Sequence, residues 1–86
     1  MDYQYPIDYT WTTEEVIDVI ELYNAVEQAY EQGISSEDFK EAYRKFKNVV
    51  QSKSEEKQYD KQFEELSSYS IYQVFKASKE KDWIKL

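Results

Sequence analysis

One chemical device recurs at four places in this chain, and together they commit most of it to helix. Thr12 is followed three residues on by Glu15, Ser35 by Asp38, Ser52 by Glu55 and Ser70 by Gln73. In each pair the hydroxyl can accept from the amide three residues ahead. The later side chain can reach back to the hydroxyl residue's own amide, so two orphan donors of a helix start are satisfied together. Asp38 is the weakest of the four partners, since Glu and Gln reach further. Three of the starts also set an apolar residue before the cap against one four positions after it: Trp11 with Val16, Ile34 with Phe39, and Tyr69 with Val74. Local signals that agree with one another are the mark of a foldable sequence.

These starts predict helical segments over 12–33, 35–51, 52–67 and 70–81, preceded by an arm over 1–11. Gly33, the only glycine, stands where a helix C-terminus takes a left-handed residue. On the first segment Val16, Val19, Ile20, Leu22, Tyr23, Val26, Ala29 and Tyr30 cover about half the helical wheel, wider than the ~100° stripe of a helix lying on one surface. It is therefore expected at the centre. The second has a narrower face of Phe39, Ala42, Tyr43, Phe46, Val49 and Val50. The third offers only Tyr59, Phe63 and Leu66 and should be the most exposed. The fourth presents Ile71, Val74 and Phe75, and its tail carries Trp83, Ile84 and Leu86, which need cover from this chain or another.

In the arm, Tyr3, Tyr5, Ile7, Tyr9 and Trp11 alternate with a period of two, which places five large groups on one side of an extended segment. Pro6 suits such an arm and argues against a central strand. The expected fold is all-α: a single helical domain, a compact bundle or array of four helices closed by the aromatic arm.

A chain of 86 residues buries a thin core, and small domains often add disulfides, metals or oligomerisation. Here Cys and His are both absent, which removes disulfides and the usual zinc sites and leaves oligomerisation. Nucleophilic triads built on His or Cys fall with them, and one glycine cannot form a phosphate-cradling loop. No enzyme activity and no cofactor is expected.

The opening lacks the basic and apolar regions of a signal peptide, and no stretch approaches a membrane span, so a cytoplasmic location without membrane attachment is expected. A net charge of −7 disfavours nucleic acid, and a role there through Arg44, Lys45 and Lys47 is set aside. The charge is uneven: ten acids and no base through Phe39, then eight acids and eleven bases. A basic partner would fit the first half, but the plainer reading packs the acidic helix beside the Lys-bearing ones, within one chain or across a dimer.

Several residues carry a sharper and a plainer reading. Glu56, Asp60 and Glu64 form a column beside Lys53, Lys57 and Lys61, either a hard-cation or docking stripe or a salt-bridged solvated face, and the straight column favours the face. Glu27 falls inside the apolar sector of the first helix. A carboxyl there has its pKa raised unless paired, and a structural partner such as Arg44, a Lys or a Tyr hydroxyl is favoured over a catalytic role. Tyr3, Tyr5, Tyr9 and Trp11 suit a stacking surface, but regular aromatic spacing more often marks core or dimer contact. Trp83 joins them as a candidate contact.

Tyr5-Pro6-Ile7-Asp8, Trp11-Thr12-Thr13-Glu14-Glu15, Glu55-Glu56-Lys57-Gln58-Tyr59-Asp60-Lys61 and Tyr69-Ser70 resemble the YktA-like uncharacterised protein family of Firmicutes, over nearly the whole chain. The resemblance implies a small helical bacterial cytoplasmic protein and carries over no functional residues. The residues themselves favour a non-enzymatic protein-interaction module, self-associating or bound to an unidentified protein partner. The alternative is a small-ligand or metal-assisted enzyme using helix carboxylates.

Overall fold

A computed structural model of the protein describes residues 4–86. Four helices occupy most of it: α1 (Thr13–Glu31), α2 (Ser36–Val49), α3 (Lys53–Ser67) and α4 (Ile71–Ser78). Two short strands, β1 (Ile34–Ser35) and β2 (Trp83–Ile84), pair antiparallel, with Ile34 opposite Ile84 and Ser35 opposite Trp83. The fold is all-α with this one small bridge.

Each helix starts where the cap chemistry places it. The Oγ1 of Thr12 and the Oγ atoms of Ser35, Ser52 and Ser70 accept from the amides of Glu15, Asp38, Glu55 and Gln73 respectively. The reciprocal half forms at the first, where the Thr12 amide donates to Glu15 Oε1 at 2.8 Å. At the third, Ser52 Oγ instead donates to Glu55 Oε1 at 3.1 Å. α1 ends on Gly33, whose φ of +99° turns the chain while its amide donates to Gln28 O at 2.7 Å. α3 ends on a left-handed residue too, but this one is Ser68, with φ +68° and no glycine to signal it.

α1 is the centre of the fold and packs against both α2 and α4. Val19, Leu22, Tyr23, Val26 and Ala29 are fully buried on it, and Phe39, Phe46, Phe63, Val74 and Ile84 close over them from the other elements. The rings do much of the filling: Tyr23 stacks on Phe63 at 4.7 Å between centroids, Tyr30 on Tyr69 at 4.4 Å, and Tyr43 on Phe75 at 4.6 Å. Such contacts add about 0.5–1.5 kcal/mol beyond area burial.

α3 is held by little, as its sequence suggests. Phe63 and Ser67 are its buried residues, and Leu66, expected on the apolar face, is 47% exposed.

The tail beyond α4 is bound by main-chain hydrogen bonds rather than by a helix. Ser36 N donates to Asp82 O at 2.8 Å, Leu86 N donates to Ala29 O at 2.9 Å, and Ser36 Oγ donates to Lys81 O. Ile84 is thereby buried within its own chain. Trp83 and Leu86, expected to need cover, stay about half exposed.

Candidate functional site

Two regions gather the polar side chains singled out above. The first is where the arm meets α1. The Tyr5 ring stacks on Tyr23 at 5.4 Å, and the buried Tyr23 hydroxyl donates to Pro6 O at 2.7 Å, so the described part of the arm packs on its own chain. Burial holds that phenol protonated by raising its pKa. The Tyr5 hydroxyl lies 2.7 Å from Glu27 Oε1 and 2.9 Å from Asn24 Oδ1, and donates its single proton to one of them at a time.

Glu27 is half-buried, and its pKa is raised, chiefly by burial and then by the Glu31 charge. Among the described residues the Tyr5 hydroxyl donates to it, one of the structural partners anticipated. Arg44 instead lies exposed and pairs with Glu41 at 2.6 Å. Because the folded pKa of Glu27 exceeds its unfolded one, its contribution to stability is full below the ordinary glutamate range and is lost as pH rises through the raised value. Glu27→Gln, which keeps an acceptor for Tyr5, should therefore flatten melting temperature against pH between 4 and 7 relative to the parent. Parallel curves would mean that Glu27 is not desolvated.

The alternation of the arm breaks at Tyr9. Tyr5, Ile7 and Trp11 are half-buried, Trp11 against Tyr59 at 5.2 Å, but Tyr9 is 91% exposed. Asp8 causes this: its Oδ1 accepts from Thr10 N and Thr10 Oγ1, and Trp11 N donates to Asp8 O, which turns the chain. The two bonds from Thr10 also hold the Asp8 carboxyl below its ordinary pKa. Tyr3 lies outside the described residues.

The second region is a groove of about 900 Å³ between α2, α3 and α4. It brings Glu56, Asp60 and Glu64 together, as the column on α3 requires, and gives the first two separate tasks. Glu56 accepts from the Tyr43 hydroxyl and from Lys47 Nζ, at 2.8 Å for the lysine. Burial and the bond to Glu56 push the Tyr43 pKa up, so that hydroxyl remains a donor.

Asp60 caps a different helix. Its Oδ1 accepts from Ile71 N at 2.8 Å and its Oδ2 from Tyr72 N at 3.3 Å, so a carboxylate sits on the positive end of α4 beside the Ser70 cap. Burial raises its pKa, with Glu64 and Glu56 adding, while the two amide bonds pull the other way. Asp60→Ala would orphan both amides, an expected loss of about 1–3 kcal/mol. Amide exchange should accelerate first at Ile71 and Tyr72. Uniform acceleration along the chain would deny Asp60 its local role.

Glu64 is exposed at the groove's edge. Among the described residues, none of the Lys-to-acid pairs expected along α3 closes into a salt bridge: Glu56 turns to Lys47 of α2 instead. The acidic first half meets the later bases through Lys45 and Glu21, 3.6 Å apart across α1 and α2. Trp83 stands apart from the groove, its indole lying over Gly33.

The groove also uses residues that the sequence marks as core or surface. Tyr43 and Phe75 form its aromatic floor, and Lys79 Nζ sits 4.5 Å from the centroid of the Phe75 ring. Tyr72, Lys53 and Lys57 are exposed along its sides. The helical period shows which residues share a face, but only packing of α2 against α4 shows that Tyr43 and Phe75 meet.

In chemical terms, Glu56 has both oxygens engaged and Asp60 has both on main-chain amides. The groove is thus equipped to bind by aromatic contact and ammonium groups. Among the described residues no group of three or more acidic side chains is arranged to hold a metal ion, and no helix is long and apolar enough to cross a membrane.

The model of an uncharacterised protein family, UPF0223, matches residues 2–86. This chain belongs to that family. It is similar to the UPF0223 protein YktA of Bacillus subtilis (strain 168), with 48% identity over 100% of this chain and 98% of the relative. A UPF0223 protein of Bacillus mycoides (strain KBAB4) is 50% identical, over 93% of this chain and 90% of its own length. One from Staphylococcus haemolyticus (strain JCSC1435) is 47% identical, over 86% and 82%. The family is the one that the arm and α3 motifs resemble.

Proposed function

We propose that this protein is a non-enzymatic interaction module of the bacterial cytoplasm that docks another protein chain in the groove between α2, α3 and α4. The observation that carries the reading is the division of labour in that groove. Its inner carboxylates are spent on holding helices together, while an aromatic floor and exposed Tyr72 are left to the outside. A catalytic acid or base needs an oxygen free to exchange a proton with substrate, and neither Glu56 nor Asp60 offers one in this arrangement.

The test is crosslinking and affinity capture from the native cytoplasm with the parent and with Tyr72→Glu. Tyr72 is the second residue of α4, where an acid suits the helix dipole, so this variant should block the groove and still fold. A near-stoichiometric partner lost with Tyr72→Glu is the expected result. Equal capture by both would reject the groove. A specific rise in melting temperature with a metabolite or divalent cation, lost in Glu64→Gln, would favour a small-ligand enzyme instead.

Self-association is the narrower form of the same reading, supported by the half-exposed Trp83 and Leu86. Sedimentation at high protein concentration should then show dimer in the parent and monomer in Trp83→Ala. A parent that stays monomeric throughout removes this narrower form.

A further inference from the structure

The groove is the basic locus of an acidic protein. Four lysines line it, Lys47, Lys53, Lys57 and Lys79, against Glu56, Asp60 and Glu64. Lys47 and Glu56 neutralise each other at 2.8 Å, and Asp60 is turned onto the α4 amides. Among the described residues Lys53, Lys57 and Lys79 make no salt bridge, and Lys79 rests on the Phe75 ring, which leaves the ammonium groups of Lys53 and Lys57 beside one exposed carboxylate, Glu64. The rest of the chain has the opposite sign, with the net charge at −7.

Geometry narrows the class of occupant. Lys53 and Lys57 are one helical turn apart on α3, a rise of about 6 Å. Alternate residues of an extended peptide recur at about 6.6 Å, so acids at positions i and i+2 can meet these two lysines together. Exposed Tyr72 follows on α4 and would receive an apolar side chain, while the Phe75 ring already carries Tyr43 and Lys79 and closes the far end of the trough. Small-molecule pockets bury most of their ligand, whereas here Lys53, Lys57, Glu64, Tyr72 and Lys79 are all exposed, so the groove is an open trough that suits a chain passing through it.

We infer that the groove docks an extended acidic peptide segment of a partner protein, with acids at alternate positions on Lys53 and Lys57 and an aromatic or aliphatic residue on Tyr72. The inference rests on the reading of the groove as a docking surface and adds the chemistry of what enters it. The net negative charge of the protein repels such a segment at long range while the lysines attract it at contact, and salt screens both. Charge reversal is therefore the diagnostic change.

The probe is a phage-displayed library of random dodecapeptides panned on the full chain, with enriched sequences synthesised and titrated. The variants are Lys53→Glu with Lys57→Glu, the milder Lys53→Gln with Lys57→Gln, and Tyr72→Glu, each checked for parent-like melting. Expected are sequences rich in Asp and Glu with one bulky apolar residue, weakened at least about tenfold by the Glu pair and less by the Gln pair. Sequences without acid enrichment that lose binding only with Tyr72→Glu would overturn the acidic partner and keep the docking groove. Binding indifferent to all three variants, or no enrichment at all, would overturn both.

Discussion

Phe63→Ala should cost about 3–5 kcal/mol and leave α3 detached from a folded remainder. The expectation comes from how few apolar side chains tie this helix down: Phe63 is fully buried and stacks on Tyr23 of α1, Ser67 is the other buried residue of α3, and the remaining links are half-buried Tyr59 on Trp11 and the polar bonds of Glu56 and Asp60. Removing it opens a cavity beneath Tyr5 and Tyr23, and neither ring can swing in to fill it. Tyr23 is fixed by its bond to Pro6 O, and Tyr5 sits on Tyr23 with its hydroxyl at Glu27 and Asn24.

For a chain of this size the loss corresponds to a fall in melting temperature of more than about 12 °C. Urea unfolding followed by far-ultraviolet dichroism is the measurement. A cost under about 1.5 kcal/mol with an unchanged denaturant slope would mean that α3 is held by something other than this ring.

Gly33→Ala should be the next most damaging single change, at about 2–4 kcal/mol, although it adds only one methyl group. Two penalties coincide there. A φ of +99° is a region that L-residues rarely adopt, and a Cβ at this position would stand 2.5 Å from Trp83 Nε1 and 2.7 Å from Cε2 and Cζ2. The two can be separated with Trp83→Ala in a double-mutant cycle. Without the indole the steric part disappears and the backbone part of about 1–2 kcal/mol stays, so the double variant should be more stable than the sum of the single effects predicts. Strict additivity would show that the indole does not pack on Gly33.

How much of this was legible in advance follows the range of the interaction. All four helix starts were readable because a cap is made by residues three positions apart, and Gly33 was readable because one residue sets its own φ. Tyr9 departs from the period-two alternation for a local reason: Asp8 followed by Thr10 is a turn signal that competes with the alternation and wins. Leu66 has the right spacing for the apolar face and fails because α3 meets the rest of the fold along the stripe of Glu56, Tyr59, Asp60, Phe63 and Ser67, which Leu66 flanks.

The task of Asp60 had no sequence signal at all. Its partners are the amides of Ile71 and Tyr72, supplied by another helix, and nothing in the spacing of acids and lysines on α3 points to them. The same holds for β1 and β2, which are too short to show a period and exist only because the tail returns to the α1–α2 junction.

That return has a kinetic meaning. Ile34 and Ile84 are fifty positions apart, so their pairing closes a long loop, whereas α1 and α2 are neighbours in sequence and pack extensively together. Loop closure must be compensated before a distant contact stabilises anything, which places the α1–α2 hairpin early on the folding path and the tail late. Substitutions at Ile84 should then speed unfolding and leave the refolding rate nearly untouched, while those at Val26 or Phe46 slow refolding. The tail would act as a latch on the exit from the native state: it sets how long the molecule stays folded once formed, and has little say in how fast it forms.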